Sequence, residues 1–452
     1  MHIPLTPPEV FPIWSNAGQE VLGKILDIRS PLVGGDYLHW DQLRHRPPPD
    51  GLTSEQWWAG IRFPRNAMMK SLPLVDKAGK SFEFCLPETI LIALHHIDKA
   101  ASGSINAPVE INTPETRDRY LVHSLIEEAI TSSQLEGAAT TRTAAKSMLR
   151  EGRKPRDRSE RMIFNNYQAM EQIRTWRTEP ITPAKVLELH SLVTDGTLDD
   201  PADAGRLRQD NDIVIQDRRD NTLLHRPPDF HELPERLARL CAFANADADA
   251  DETAAPFVHP VLRAILLHFM IGYDHPFADG NGRTARALFY WSMARSGYGL
   301  MEFLSISHFL RKAPGQYLRA YLHTETDAGD TTYFLIHQLH VIRLAIKELH
   351  AYLRRTAAAQ KDTERLIAAS NQLQHRLNHR QLALITGALK HSGEQYRIEG
   401  HQRTHNVVYQ TARTDLLELT DLGLLTRELL GRAYIFTAPA DIQQRIAALA
   451  SV

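Results

Sequence analysis

The chain is poor in several things that would classify it at once. Only two of its 452 residues are cysteine, Cys85 and Cys241. Two cysteines make no disulfide framework, so a reducing compartment is the simpler expectation. No stretch reaches the ~18 consecutive apolar residues that suggest a bilayer span, so no membrane partner is expected. Neither sign of charge is in excess: 52 Lys and Arg stand against 54 Asp and Glu, a formal net charge of −2. Bulk charge therefore steers the chain towards neither nucleic acid nor membrane. The opening Met-His-Ile-Pro-Leu-Thr-Pro-Pro lacks the charged-then-apolar order of an export signal, and a cytoplasmic location is expected. There is no internal repeat and no low-complexity tract. What remains is ordinary for a folded protein, with 43% hydrophobic and 23% charged residues. The length suggests two or three domains.

The informative stretch is His275-Pro-Phe-Ala-Asp-Gly-Asn-Gly-Arg-Thr-Ala-Arg286. His275 has the only side chain in it that ordinarily titrates near neutrality, so a neutral imidazole there can accept a proton from a hydroxyl. Asp279 is a hard oxygen ligand of the kind magnesium takes alongside phosphate oxygens. Gly280-Asn281-Gly282 has little side-chain bulk, so backbone N–H groups can approach an anion closely. The residues from Arg283 to Gly297 read as a helix, which would put these glycines at its N-terminus, where anions are favoured. Arg283 and Arg286, three apart, share one face of the first turn. Val261–Tyr273, almost wholly apolar, reads as a buried helix leading into the loop.

At every defined position this run resembles the signature of Fic-domain proteins, His-x-Phe-x-Asp/Glu-Gly-Asn-Gly-Arg-x-x-Arg. Members of that family mostly transfer AMP from ATP to a hydroxyl side chain of a target protein. The resemblance implies roles position by position. His275 would be the general base and Asp279 would hold Mg²⁺. Gly280, Asn281 and Gly282 would cradle the α- and β-phosphates. Arg283 would contact the phosphates and Arg286 the γ-phosphate, while Phe277 would anchor the nucleotide-binding loop in the core.

Two other segments fit the same resemblance. Ser132-Ser-Gln-Leu-Glu136-Gly137 is similar to the family's inhibitory-helix pattern, Ser/Thr-x-x-x-Glu-Gly/Asn. Residues 117–136 are apolar-periodic, and Gly137 is a natural stop. The resemblance implies that Glu136 reaches Arg286 in place of the γ-phosphate. Residues 205–224, short β-branched runs around a polar turn, read as a hairpin. In the family such a flap clamps the target backbone by strand addition. Ile213 and Val214 are the expected contacts. Tyr317, in Tyr-Leu-Arg-Ala-Tyr followed by Glu325, is similar to the family's adenine-covering helix and is the candidate for stacking on the base.

The remaining sections carry less chemistry. Residues 1–113 hold Trp40, Trp57 and Trp58, read as packing, and a strand at Ser81–Cys85. Residues 301–370 read as further helices, with a joint at 357–362. Near the C-terminus, helices at Leu377–Leu389 and Thr404–Leu419 precede a hairpin over Arg427–Phe436, an order that looks like a winged helix. Its second helix could enter a major groove. Eight basic residues, among them Arg376, Arg380, Arg413 and Arg432, face six acidic ones over 376–436. This balance is too mild to argue for strong phosphate binding.

The expected fold is mainly α: a Fic-type helical core with a β-hairpin flap, plus a C-terminal winged helix. The expected division is 1–113, 114–300 (the core), 301–370 and 371–452. The expected function is protein adenylylation with ATP and Mg²⁺, restrained by Glu136. The target would carry a Ser, Thr or Tyr hydroxyl, the chain itself included. Transfer of another nucleotide, removal of AMP, and a winged-helix nucleic-acid-binding regulator with a nucleotide-sensing core stay open. So do a DNA or protein partner for the winged helix and a homodimer.

Overall fold

The computed structural model describes residues 2–101, 114–217, 219–246, 257–368, 376–390, 393–430 and 433–449. Arg218, Arg432 and the boundaries expected near 113 and 370 lie outside these residues. The fold is mainly α. The first part comprises helices α1 (Val10–Ser15), α2 (Gln19–Leu26), α3 (Trp40–Leu43) and α4 (Ser54–Met68), a hairpin of β1 (Lys70–Val75) and β2 (Ser81–Phe84), and α5 (Glu88–Ala101). Next come α6 (Pro114–Leu135), α7 (Arg142–Glu151), α8 (Arg158–Thr175), α9 (Pro183–Thr194), the short hairpin β3 (Ile215–Gln216) and β4 (Leu223–His225), and α10 (Leu233–Asn245). The central pair is α11 (Pro260–Asp274) and α12 (Asn281–Arg295), followed by α13 (Ile306–Lys312), α14 (Pro314–Thr326) and α15 (Thr332–Ala368). The last part holds α16 (His379–Lys390), β5 (Gln395–Tyr396), α17 (Ile398–His405), α18 (Tyr409–Asp421), β6 (Thr426–Leu430), β7 (Ala433–Thr437) and α19 (Ile442–Ala448).

The helices begin where local chemistry starts them. Thr53 and Gln56 form a reciprocal capping box at α4. Thr182 caps α9 and Pro183 takes the first turn, where its missing N–H costs nothing. The α11 helix starts in the same way, with His259 as cap and Pro260 following.

One apolar core runs from Leu72 to Leu353. Its centre is α11 packed on α12, both buried along almost their whole length. At roughly 1.5–3 kcal/mol for each fully buried large apolar side chain, these two helices form the rigid floor of the molecule. The tryptophans at 40, 57 and 58 pack in a smaller core of their own. That N-terminal part is tied to the chain just beyond α14: Tyr37 donates to Asp330 at 2.6 Å, and Arg65 donates to Tyr333 Oη at 3.1 Å. A separate core, Ile367 to Ile446, holds the C-terminal helices around a sheet ordered β5-β7-β6.

Three sequence expectations need correction. The helix expected over Thr404–Leu419 is two helices, because Asn406 adopts φ 50° and ends α17. Val407 and Val408 therefore lie in the turn before α18. The joint expected at 357–362 is absent, since α15 is one helix of 37 residues. The flap strands are shorter than expected, and Ile213 and Val214 precede β3 instead of lying in it. No helix among the described residues is long and apolar enough to cross a membrane.

Candidate active site

The loop between α11 and α12 is built from both ends. His275 closes α11 in the left-handed conformation, φ 44°, and its N–H bonds Ile271 O at 3.1 Å. Such a conformation is uncommon for a residue with a Cβ and turns the ring out of the helix. Gly280, φ 83°, opens α12, and a Cβ there would meet Thr194 Cγ2 at 2.6 Å. The loop is thus pressed against α9 and needs glycine at this point.

Inside the turn, Asn281 is turned inward. Its Oδ1 accepts from Phe277 N–H at 3.0 Å, and its Nδ2 donates to Phe277 O at 2.8 Å. The Asn281 side chain therefore braces the loop against its own backbone. Phe277 is fully buried and stacks on His190, with centroids 3.8 Å apart and planes 5° apart. His190 spans α9 and the loop. Its Nδ1 accepts from Gly205 N–H at 3.0 Å, so Nε2 carries the proton and donates to Asp279 O at 2.8 Å. Burial pushes the His190 ring down to about 4, so this tautomer is neutral.

Sequence reasoning missed His190, and it gave Arg208 no role. Arg208 Nε donates to His275 O at 3.0 Å, its backbone N–H donates to Pro276 O, and its other nitrogens hold Asp210 O and Pro228 O. Nothing in the chain marks His190 apart from other residues on a buried helix face.

His275 Nδ1 sits 3.3 Å from Gly272 O, which leaves Nε2 as the acceptor. Burial is the main influence on this ring and holds it below the usual histidine range. A neutral imidazole with a free Nε2 is a competent base near neutral pH.

His275, Glu136, Gly282, Arg286, Tyr317, Ile215, Leu224, His225 and Glu325 line one cavity of about 310 Å³. Ile213 and Val214 do not line it; Ile215 and Leu224 of the hairpin do. His225 ties that hairpin down, with Nδ1 2.8 Å from Glu325 Oε2 on α14 and Nε2 2.7 Å from Tyr273 O. Tyr317 is on the cavity wall, and its hydroxyl lies 2.7 Å from His268 Nε2.

Arg286 is fully buried and already held. Nε donates to Ser132 Oγ at 2.8 Å, and Nη2 donates to Ser132 O at 3.1 Å and to Glu136 Oε1 at 2.8 Å. Burial works against this guanidinium, Glu136 works for it, and the balance holds it above its usual range. Glu136 lies one residue beyond α6, followed by Gly137 at φ 101°. Its Oε1 covers the start of α12 so closely that a Cβ on Gly282 would fall 2.0 Å away.

Arg283 is also fully buried, and it bonds Val193 O through Nη1. Its Nε and Nη2 have no hydrogen-bond partner. Nη2 lies 3.9 Å from Asp279 Oδ2, so it is near the turn. Asp279 is half exposed. No cluster of three or more His, Cys, Asp or Glu side chains suited to a metal occurs among the described residues. Asp279 Oδ1 accepts from Gly280 N–H at 2.6 Å, and Oδ2 also lies 3.9 Å from Arg158 Nη2.

Residues 180–293 match the model of the Fic/DOC family. Over 118 residues the chain is 32% identical to Protein adenylyltransferase Fic of Drosophila virilis, which covers 26% of this chain and 21% of that protein. Over 123 residues it is 32% identical to the protein of the same name from Nematostella vectensis, covering 27% and 25%. The chain thus matches a quarter or less of the length of these relatives. A Fic family protein from Desulfovibrio desulfuricans G20 is a structural neighbour at TM-score 0.48 and 18% identity, covering 78% of this chain and 97% of that one.

Proposed function

We propose that the chain is a protein adenylyltransferase whose site is held closed by Glu136. The observation that carries this reading is the junction at Arg286. A buried cation beside an anion-binding turn is committed to an internal carboxylate, in the same cavity as a neutral histidine. ATP is the proposed donor. The backbone amides of Asn281 and Gly282 and the unsatisfied Arg283 nitrogens would take its phosphates, and Arg286 would take the γ-phosphate once Glu136 leaves. Asp279 would hold Mg²⁺, which would neutralise phosphate charge when bound. Tyr317 would cover the base.

The acceptor is a Ser, Thr or Tyr hydroxyl on a segment placed along the 215–225 hairpin. His275 Nε2 takes the hydroxyl proton as the oxygen attacks the α-phosphorus. The bond to the β-phosphate oxygen breaks and pyrophosphate leaves. Positioning and charge stabilisation supply most of the rate. The C-terminal unit, with helix–strand–helix–helix–strand–strand–helix order, is read as a winged helix that docks a partner. The test is incubation of the wild-type chain and Glu136→Gly with labelled ATP and lysate proteins. Labelling that rises in the variant supports the reading, and labelling of neither sinks it.

A further inference from the structure

Away from that cavity, three cations, Arg343, Lys347 and Arg354, and two histidines collect on one side of α15. His340, Arg343, Lys347, His350 and Arg354 recur at steps of three and four, so they form one stripe of the helix. The adjoining face supplies Leu339, Ile342, Leu349 and Leu353 to the core, which fixes the stripe outward. Like charges four apart on a helix repel. A stripe without compensation is easier to understand if an anion sits on it.

A second feature is shape. Arg343, Lys347, His350 and Arg354, with His96 of α5 and Ile346, line a cavity of about 340 Å³ between the two helices. No carboxylate is part of the lining. The acid next along the helix, Glu348, is turned to His308 at 3.6 Å. Among the described residues, no carboxylate pairs with Arg343, Lys347 or Arg354, the three α15 cations in this cavity. The chain as a whole carries slightly more acid than base, so a wall whose polar groups are all cationic or imidazole is a local departure.

We propose that this cavity binds a small oligophosphate. Two guanidinium forks and one ammonium converge from one helix, and an imidazole approaches from the other. Guanidinium groups match phosphate oxygens in pairs, and lysine adds a point charge. A cavity of this volume is at the small end of ligand pockets and suits a few linked phosphates. The site is formed by α5 and α15 and shares no residue with the one lined by His275 and Arg286. It stands whether or not that site transfers AMP.

The test is calorimetric titration of inorganic tripolyphosphate into the full chain and into Arg343→Glu/Arg354→Glu. Both reversed residues are exposed, and an unchanged melting midpoint confirms folding. The expected result is a Kd tighter than about 1 mM for the full chain. The double variant should bind at least about tenfold more weakly. Should the double variant fold poorly, Lys347→Gln serves instead, with binding weakened about threefold. No binding, or equal binding by the charge-reversed chain, would overturn the proposal. So would capture by phosphatidylserine vesicles without binding of free tripolyphosphate, since the ligand would then be a lipid headgroup.

Discussion

Replacing Glu136 by glycine isolates the contact on which the proposed restraint depends. The Glu136–Arg286 bond is 2.8 Å long, the arginine side chain is 2% exposed and the glutamate 28%. Unit charges about 4 Å apart at an effective dielectric of about 20 attract by roughly 4 kcal/mol before desolvation. Desolvation of both groups and the open side of Glu136 remove about half of this, in line with the ~1.5–3 kcal/mol of charged hydrogen bonds. About 2 kcal/mol remains, roughly a 30-fold bias against a γ-phosphate that needs the same guanidinium. Steric relief adds to it, since the carboxylate also covers Gly282. The substitution is structurally mild because Glu136 already lies beyond the last residue of α6. ATP affinity, followed by calorimetry, should rise about 10- to 50-fold in Glu136→Gly, and AMP transfer at low ATP should rise with it. Glu136→Gln, which keeps the shape and removes the charge, should fall between. If ATP affinity is unchanged in Glu136→Gly, the carboxylate does not compete for Arg286 and the reasoning fails.

Other outcomes follow from the same geometry. His275→Ala should lower AMP transfer by about 10²–10⁴-fold with ATP binding retained, the usual contribution of a general base; transfer at the wild-type rate would move the base elsewhere. The base must be unprotonated, and burial lowers His275. Transfer should therefore persist on acidification below about pH 6.5 before it falls; an acid limb centred above that value would contradict the assignment. Phe277→Ala should destabilise the loop by about 3–5 kcal/mol, seen as faster amide exchange over 275–282, because the ring is fully buried on His190. Asp415 receives Arg380 at 2.7 and 2.8 Å, Asn378 at 2.7 Å and His401 at 2.9 Å. Burial raises this carboxyl, but these donors outweigh burial and hold it well below the carboxylate range. Its stabilisation is present above about pH 4 and is lost as pH falls further. Asp415→Asn should cost the C-terminal unit about 3–5 kcal/mol at neutral pH, read by proteolysis of residues 379–437, and should remove that acid sensitivity.

The parts of the site legible in the sequence were those that local chemistry writes contiguously. A helix that must stop, turn through glycine and start again leaves His275, Gly280 and Gly282 within eight positions, and α11 and α12 announce themselves by their apolar content. Glu136 was legible through a short spaced pattern ending in Gly137. His190 was not, because its task comes from where α9 packs, 85 residues before His275 in the chain. Asn281 shows the same limit: its residue type suggested a ligand contact, while its position lets it reach back to Phe277. The break at Asn406 was hidden by Val407 and Val408 directly after it, which keep a helical spacing with Ala412 and Leu416. The continuity of α15 was hidden by a polar stretch, Gln360-Lys361-Asp362, that an exposed helix tolerates as easily as a loop does.

The central claim is that this site moves an AMP group and that Glu136 restrains it. ATP labelled at the α-phosphate, and separately at the γ-phosphate, tests it directly in Glu136→Gly and in Glu136→Gly/His275→Ala. Protein-bound label is expected from the α position only, in the single variant only. Label from the γ position, or equal α-label in the double variant, would contradict it.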